Sequence, residues 1–141
     1  MNLACTSDID EAEYERFLDG FAAQPGTALA YHYPFYMRFV SGTAYPGSTR
    51  RFVTARDAAG ALVGVLPGVH VKTSRISAWL SLAYFGPNGG ALVRDAATPD
   101  GAAAVRALVA NARLDAEARG CRSMTIFTPL AAGADDYRAG L

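Results

Sequence analysis

The sequence predicts an α/β (α+β) fold, a mixed central sheet with helices on both faces and elements in the order β-α-α-β-β-β-α-β. Three observations carry this. Stretches with apolar residues three and four apart alternate with short apolar runs of strand type. Cap and turn residues stand at the joints between them. The chain has 141 residues, 51% hydrophobic and 18% charged, an ordinary globular composition and the length of a single domain, 1–141. A sheet covered by helices is the economical way to bury both kinds of apolar stripe.

Each element has its own justification. "NLACTS" alternates weakly and reads as a short first strand. Ser7 or Asp8 then caps a helix whose acidic start, Asp8, Asp10, Glu11 and Glu13, suits the positive end of its dipole. Tyr14, Phe17, Leu18 and Phe21 form its apolar stripe, and Gln24-Pro25-Gly26 ends it. In "TALAYHYPFYMRFV" Pro34 fits the first turn of a second helix, with Tyr36, Phe39 and Val40 on one face. Gly42 and Pro46-Gly47 close it. Residues 50–73 read as two strands around Asp57-Ala58-Ala59-Gly60. Pro67-Gly68 would break the ladder of the second, so a bulge is expected there. "ISAWLSLAYF" is a third apolar run of strand type and ends at a glycine turn. Val105, Leu108, Val109, Ala112 and Ala116 follow helical spacing within 98–119, with Thr98-Pro99 at the start and Gly120 at the stop. "CRSMTIFTPL" reads as a last strand. The tail "AAGADDYRAGL" has no clear partner, so the sheet reads as unfinished.

Composition excludes several function classes. Thirteen acidic and thirteen basic side chains cancel, leaving no net field to draw DNA or an anionic membrane. No run approaches the roughly 18 apolar residues of a membrane span. Residues 1–10 lack the basic and apolar regions of a signal peptide, so a cytoplasmic protein is expected. Twelve Arg stand against one Lys, Lys72. Arginine forks bind carboxylate or phosphate, but a biased genome composition explains the excess equally well. Cys5 and Cys121 have neither C-x-x-C nor zinc spacing and read as reduced thiols.

Few constellations carry chemistry. His32 lies in "YHYPFYMRF", ringed by aromatics, with no carboxylate nearby in sequence to orient it as a base; it reads as a structural histidine. His70, in a strand pattern beside Lys72, reads likewise. No G-x-S-x-G elbow appears, no metal-ligand spacing appears, and Asp135-Asp136 read as solvated. There remains "SLAYFGPNGGALVRD", residues 81–95. Phosphate loops aim backbone N–H groups with a helix start directly behind them. Here Ala91, Leu92 and Val93 look extended, and "DAATPDGAA" intervenes before the helix. The stretch is therefore a tight corner or a substrate-facing lip, and it fails as a pyrophosphate cradle. It has neither the P-loop pattern nor G-x-G-x-x-G.

The element order resembles the first part of the GNAT (N-acetyltransferase) fold. "ALAYHYPFYMRFV", "GALVGVLPGVHVKT" and above all "LSLAYFGPNGGALV" resemble the N-terminal half of the Fem-type (FemAB-like) transferases. With the following helix and "SMTIFTP", the resemblance spans nearly the whole chain. Those proteins are tandem GNAT-like units that transfer acyl or aminoacyl groups, often onto cell-wall (peptidoglycan) precursors. The resemblance implies substrate binding by Arg38, with Tyr36, Tyr84 and Phe85 packing on apolar or sugar parts and Asn88 at the glycine turn. Many relatives carry a basic residue where Asn88 stands, which weakens any inference of phosphate or UDP-sugar binding. A GNAT domain that binds acetyl-CoA usually carries R/Q-x-x-G-x-G/A before its helix, and this chain does not. The resemblance thus implies no cofactor on this chain. Acyl-CoA or aminoacyl-tRNA would serve the complete enzyme through a second GNAT-like domain, either a C-terminal half or a separate chain. The catalytic residues stay unassigned. Two other readings stand beside this one: a complete, divergent single-domain acetyltransferase, and a non-catalytic module whose edge strand within 122–128 pairs with another chain.

Overall fold

Strands β2 (Thr49–Arg56) and β3 (Leu62–Lys72) form the antiparallel hairpin around which the sheet is built. The computed structural model describes residues 3–7, 9–21, 32–81, 90–127 and 134–141. At the hairpin turn the Ala59 and Ala61 N–H groups both donate to Asp57 Oδ1 at 2.9 Å. Gly60 there takes a φ of +82°, a left-handed conformation that glycine adopts without steric cost. Strand β1 (Ala4–Thr6) pairs with the outer edge of β2 and is antiparallel to it. On the other side of β3 lie two collinear pieces, β4 (Ser77–Ser81) and β5 (Leu92–Val93), both antiparallel to it. Strand β6 (Ser123–Thr125) then runs parallel to β4. The order β1-β2-β3-β4-β6, with β5 beside β3, makes a mostly antiparallel mixed sheet.

Helices cover both faces. On one lie α1 (Glu11–Asp19) and α2 (Pro34–Phe39), the latter widening into a π-helical turn at Val40–Ala44. Tyr14, Phe17, Leu18, Phe21, Met37 and Val40 meet Val65, Val69 and Leu92 there. On the other face α3 (Pro99–Ala118) and α4 (Ala134–Ala139) pack on the sheet. Ala104, Leu108, Val109 and Tyr137 close over Val53, Leu66, Trp79 and Val93. Trp79 lies across Gly68, where a β-carbon would fall 2.5 Å from its ring. Full burial of each large apolar side chain contributes about 1.5–3 kcal/mol, so both layers hold the sheet.

The fold class expected from sequence holds, and so do the hairpin, the α1 and α3 stripes and the Thr98 cap, whose Oγ1 accepts from Gly101 N–H at 3.1 Å. Several details differ. Asp10, not Ser7, caps α1, because its extended backbone lets its carboxylate reach the Glu13 N–H at 3.0 Å; Asp8 and Gln24-Pro25-Gly26 lie outside the described residues. The inward face of α2 is Pro34, Met37 and Val40, a strict three-residue spacing, while Phe39 is exposed. Strand β3 runs through Pro67-Gly68 without a bulge; its irregularity lies opposite Ala55 and Arg56. The tail does have a partner: α4 packs on α3 and buries Tyr137. Asp136 pairs with Arg106, whereas Asp135 is solvent-exposed and pairs with Arg138.

Candidate functional site

Residues 82–91 join β4 to β5, and 82–89 of them lie outside the described residues. Gly68 faces Ser81 and Val65 faces Leu92, so the two strands meet the same edge of β3 on either side of Leu66 and Pro67. Arg94 N–H donates to the Val63 carbonyl at 3.0 Å. That bond fixes the ladder's parity: the backbone polar groups of Val63 and Val65 point toward β5.

Side chains from both layers converge on Gly90 and Ala91. His32, 3% exposed, places Nε2 3.3 Å from the Gly90 carbonyl oxygen. A carbonyl only accepts, so the ring carries its proton on Nε2. The His32 backbone carbonyl in turn accepts from Tyr14 Oη at 2.5 Å. From α4, Tyr137 Oη accepts the Ala91 N–H at 2.7 Å. Burial pushes the Tyr137 phenol up to about 12, the bond from Ala91 offsetting only part of it. The hydroxyl therefore stays protonated and keeps its own O–H to donate. Ser81, buried at the end of β4, accepts the Phe127 N–H on Oγ at 2.8 Å, which ties β4 to the chain just after β6. A cavity of about 350 Å³ lined by Val109, Met124, Ile126, Tyr137 and Leu141 lies on the α4 side.

A second cavity, again about 350 Å³, lies at the start of α3, lined in part by Val93, Arg94, Asp95, Thr98 and Asp100. Its helix terminus is already occupied by the chain itself. Pro99 lacks an N–H, Gly101 gives its own to Thr98 Oγ1, and Ala102 gives its own to the Thr98 carbonyl. Asp95, at a φ of +52°, turns its carbonyl onto Gly101, so close that a β-carbon there would meet it at 2.3 Å. Asp95 and Asp100 add negative charge. The Gly101 and Ala102 N–H groups are thus turned inward to Thr98, and the Asp95 and Asp100 carboxylates oppose the helix's positive end. Arg94 lies over the Phe17 ring, 5.3 Å from its centroid.

The residues singled out from sequence are placed as follows. Arg38 is half-exposed and paired with Glu11, whose other oxygen accepts from Arg50 at 3.1 Å. Tyr36 is half-buried beside Phe39, ring centroids 6.1 Å apart. Tyr84, Phe85 and Asn88 lie outside the described residues. His32 comes to the end of the glycine turn through Gly90, a contact that sequence reasoning did not give it. Tyr137 and Ser81 were missed: a lone tyrosine in a polar tail has no sequence signal linking it to Ala91, 46 residues away. His70 sits apart, its Nε2 3.3 Å from Ser77 Oγ. Nearby, Arg51 and Arg119 hold Asp115. Among the described residues no group of His, Cys, Asp or Glu could hold a metal ion, and no helix is long and apolar enough to cross a membrane.

No protein-family profile and no curated protein matches the sequence. Solved structures do. A candidate acetyl transferase from Pyrococcus furiosus superposes with a TM-score of 0.61 at 12% identity, over 97% of this chain and 89% of that one. A candidate acetyltransferase from Agrobacterium tumefaciens does so with 0.59 at 14%, over 97% and 90%. An acetyltransferase from Trypanosoma brucei gives 0.52 at 12%, over 92% and 84%. At such identities the likeness is one of fold, and this chain shares the fold of these acetyltransferases.

Proposed function

We propose that this chain is the acceptor-binding part of a FemAB-like acyl or aminoacyl transferase acting on a cell-wall or polysaccharide-related precursor. The observation that carries the reading is the convergence of His32 and Tyr137 on Gly90 and Ala91, in an acetyltransferase-like fold whose α3 start keeps its Gly101 and Ala102 N–H groups for Thr98. The acceptor lies beside Ser81, Gly90 and Ala91. Its amine or hydroxyl attacks the donor's acyl carbon, the bond to the donor's leaving group breaks, and the acceptor's proton passes to that leaving group. Holding the two reactants together supplies several kcal/mol of the acceleration. Tyr137, kept protonated by burial, offers an O–H beside Ala91. Arg38 receives an anionic group of the acceptor by exchanging it for Glu11. Tyr36, Tyr84 and Phe85 pack on the acceptor's apolar or sugar parts, with Asn88 beside them. A second GNAT-like domain, in the same polypeptide or a separate chain, supplies acyl-CoA or aminoacyl-tRNA.

One observation favours a second reading, a self-contained acetyltransferase: this chain spans 89% and 90% of two of the similar structures. Thermal melting with acetyl-CoA separates the two. A ligand at a hundredfold over its dissociation constant stabilises by about 2.7 kcal/mol, a rise of several degrees. We expect no shift, and no acyl transfer by the chain alone. A clear shift, or turnover without a second domain, supports the self-contained enzyme instead.

A further inference from the structure

At the end of β4 away from Ser81 the sheet carries a cluster of charge that the acyl-transfer reading does not use. The register pairs Lys72 with Ser77 and His70 with Trp79. Residues opposite one another, or two apart along a strand, point to the same face. Lys72, Ser77 and His70 therefore share the α3 face with Trp79. His70 is buried there, whereas Lys72 is exposed and Ser77 half-buried. Arg122 stands beside Ser77, its N–H donating to the Ser77 carbonyl at 2.8 Å, and Arg119 caps the end of α3. The acceptor site is elsewhere: four residues of strand, about 13 Å, separate Ser77 from Ser81. The start of α3 is farther still, at the other end of a 20-residue helix about 30 Å long.

Most arginines of the chain pair with a carboxylate. Among the described residues Lys72 and Arg122 do not. Asp115 is the one carboxylate acting on His70, and Arg51 and Arg119 already hold it. Burial, then Arg119 and Lys72, with Arg51 adding to them and Asp115 opposing, push His70 down, so the ring is neutral near pH 7. Its Nε2 lies 3.3 Å from Ser77 Oγ. When Nε2 carries the ring's proton, Ser77 accepts it and keeps its own O–H to donate. Positive charge thus gathers around a hydroxyl with a proton to give. The charges of the whole chain cancel, so no long-range field draws a polyanion, and the excess here matches a single anionic group. Its donors rise from β3, β4, the residue before β6 and the end of α3. An anion touching them needs oxygens in several directions, which a tetrahedral phosphate presents and a planar carboxylate does not.

We propose that Lys72, Ser77 and Arg122, with Arg119 beside them, form a binding site for the phosphate group of a small phosphorylated molecule. Lys72 and Arg122 flank the group as cations, and Ser77 donates its hydroxyl proton to it. His70 positions that hydroxyl from below by giving it the Nε2 proton. The site does not depend on the acyl-transfer reading, whose failure would leave the affinities below unchanged.

The test is titration of the full chain with glucose 6-phosphate at constant ionic strength, read by calorimetry and by the His70 ring resonances. Binding should saturate with a dissociation constant of about 1 mM or below, inorganic phosphate should compete, and glucose should give no response. Lys72→Gln and Arg122→Gln should each weaken binding about fivefold or more, and Ser77→Ala about threefold. Arg75→Gln, which removes the same charge from the turn between β3 and β4, should weaken it by less than about twofold. Lys72, Arg75 and Arg122 are all exposed, so these variants keep the fold. Bound phosphate places negative charge beside His70, so the titration of the ring should move to higher pH. A response that never saturates, an equal response to glucose, an equal loss in Arg75→Gln, or an unmoved His70 titration overturns the site. So does a short single-stranded oligonucleotide that binds about tenfold more tightly than the sugar phosphate, since that outcome assigns the cluster to a polyanion.

Discussion

A methyl group added at Gly101 would sit 2.3 Å from the Asp95 carbonyl oxygen and 2.7 Å from Ala96 Cα. Both are backbone atoms with no rotamer to yield, so Gly101→Ala should lower stability by about 1–3 kcal/mol in urea unfolding. Gly42→Ala, where nothing lies within 4 Å, is the control and should stay within about 0.5 kcal/mol. A second prediction concerns Glu11, which holds both Arg38 and Arg50. These pairs are largely exposed, and such pairs contribute little to stability. Glu11→Gln should therefore leave the melting temperature nearly unchanged while freeing Arg38. If Arg38 anchors the acceptor's anionic group, the variant binds an anionic acceptor several-fold more tightly by calorimetry; unchanged or weaker binding removes Arg38 from that role.

At the level of elements, the C-terminal half of α3 is tied to β2 by charge, through Asp115 and Arg51. Burial raises the Asp115 carboxyl, but hydrogen bonds from Arg51 and Arg119 outweigh it and hold the group below its ordinary range. Burial, then the positive charges of Arg119 and Lys72, push His70 down. The signs follow directly. The unfolded chain protonates His70 near pH 6.5 and the folded chain only at lower pH, so this contribution is complete above about pH 6.5 and declines as pH falls through the lowered folded value. The Asp115 contribution is complete above about pH 4 and declines below that. The urea midpoint should therefore drop from pH 7.5 to 5.5, and His70→Gln should flatten that drop. An equal drop in the variant would assign it to other groups. The elements differ in how legible they are. The stripes of α1 and α3 recur over nine and twenty residues, so local spacing reveals them. Strand β5 has two residues and α4 six, too few for a period to show, and both exist because a neighbour holds them.

For the whole molecule, two apolar layers close on one sheet, and the proposed acceptor site beside Ser81, Gly90 and Ala91 depends on that closure. The expected indifference of melting to acetyl-CoA belongs to this scale, since it depends on how Asp95, Thr98 and Gly101 pack together rather than on any one of them. The sequence by itself determined the α/β class, the hairpin at Asp57–Gly60 and the Pro34 and Thr98 helix starts. Each of these follows from residues close together in the chain. Only the tertiary structure decided that β3 runs through Pro67-Gly68 with its irregularity opposite Ala55 and Arg56, that Asp10 is the cap, and that His32 and Tyr137 meet at Gly90 and Ala91. The physical reason is range. Caps, turns and stripes are set by interactions within a few residues, whereas the peptide 90–91 is held by groups 58 and 46 residues away, brought together only when both layers close on the sheet.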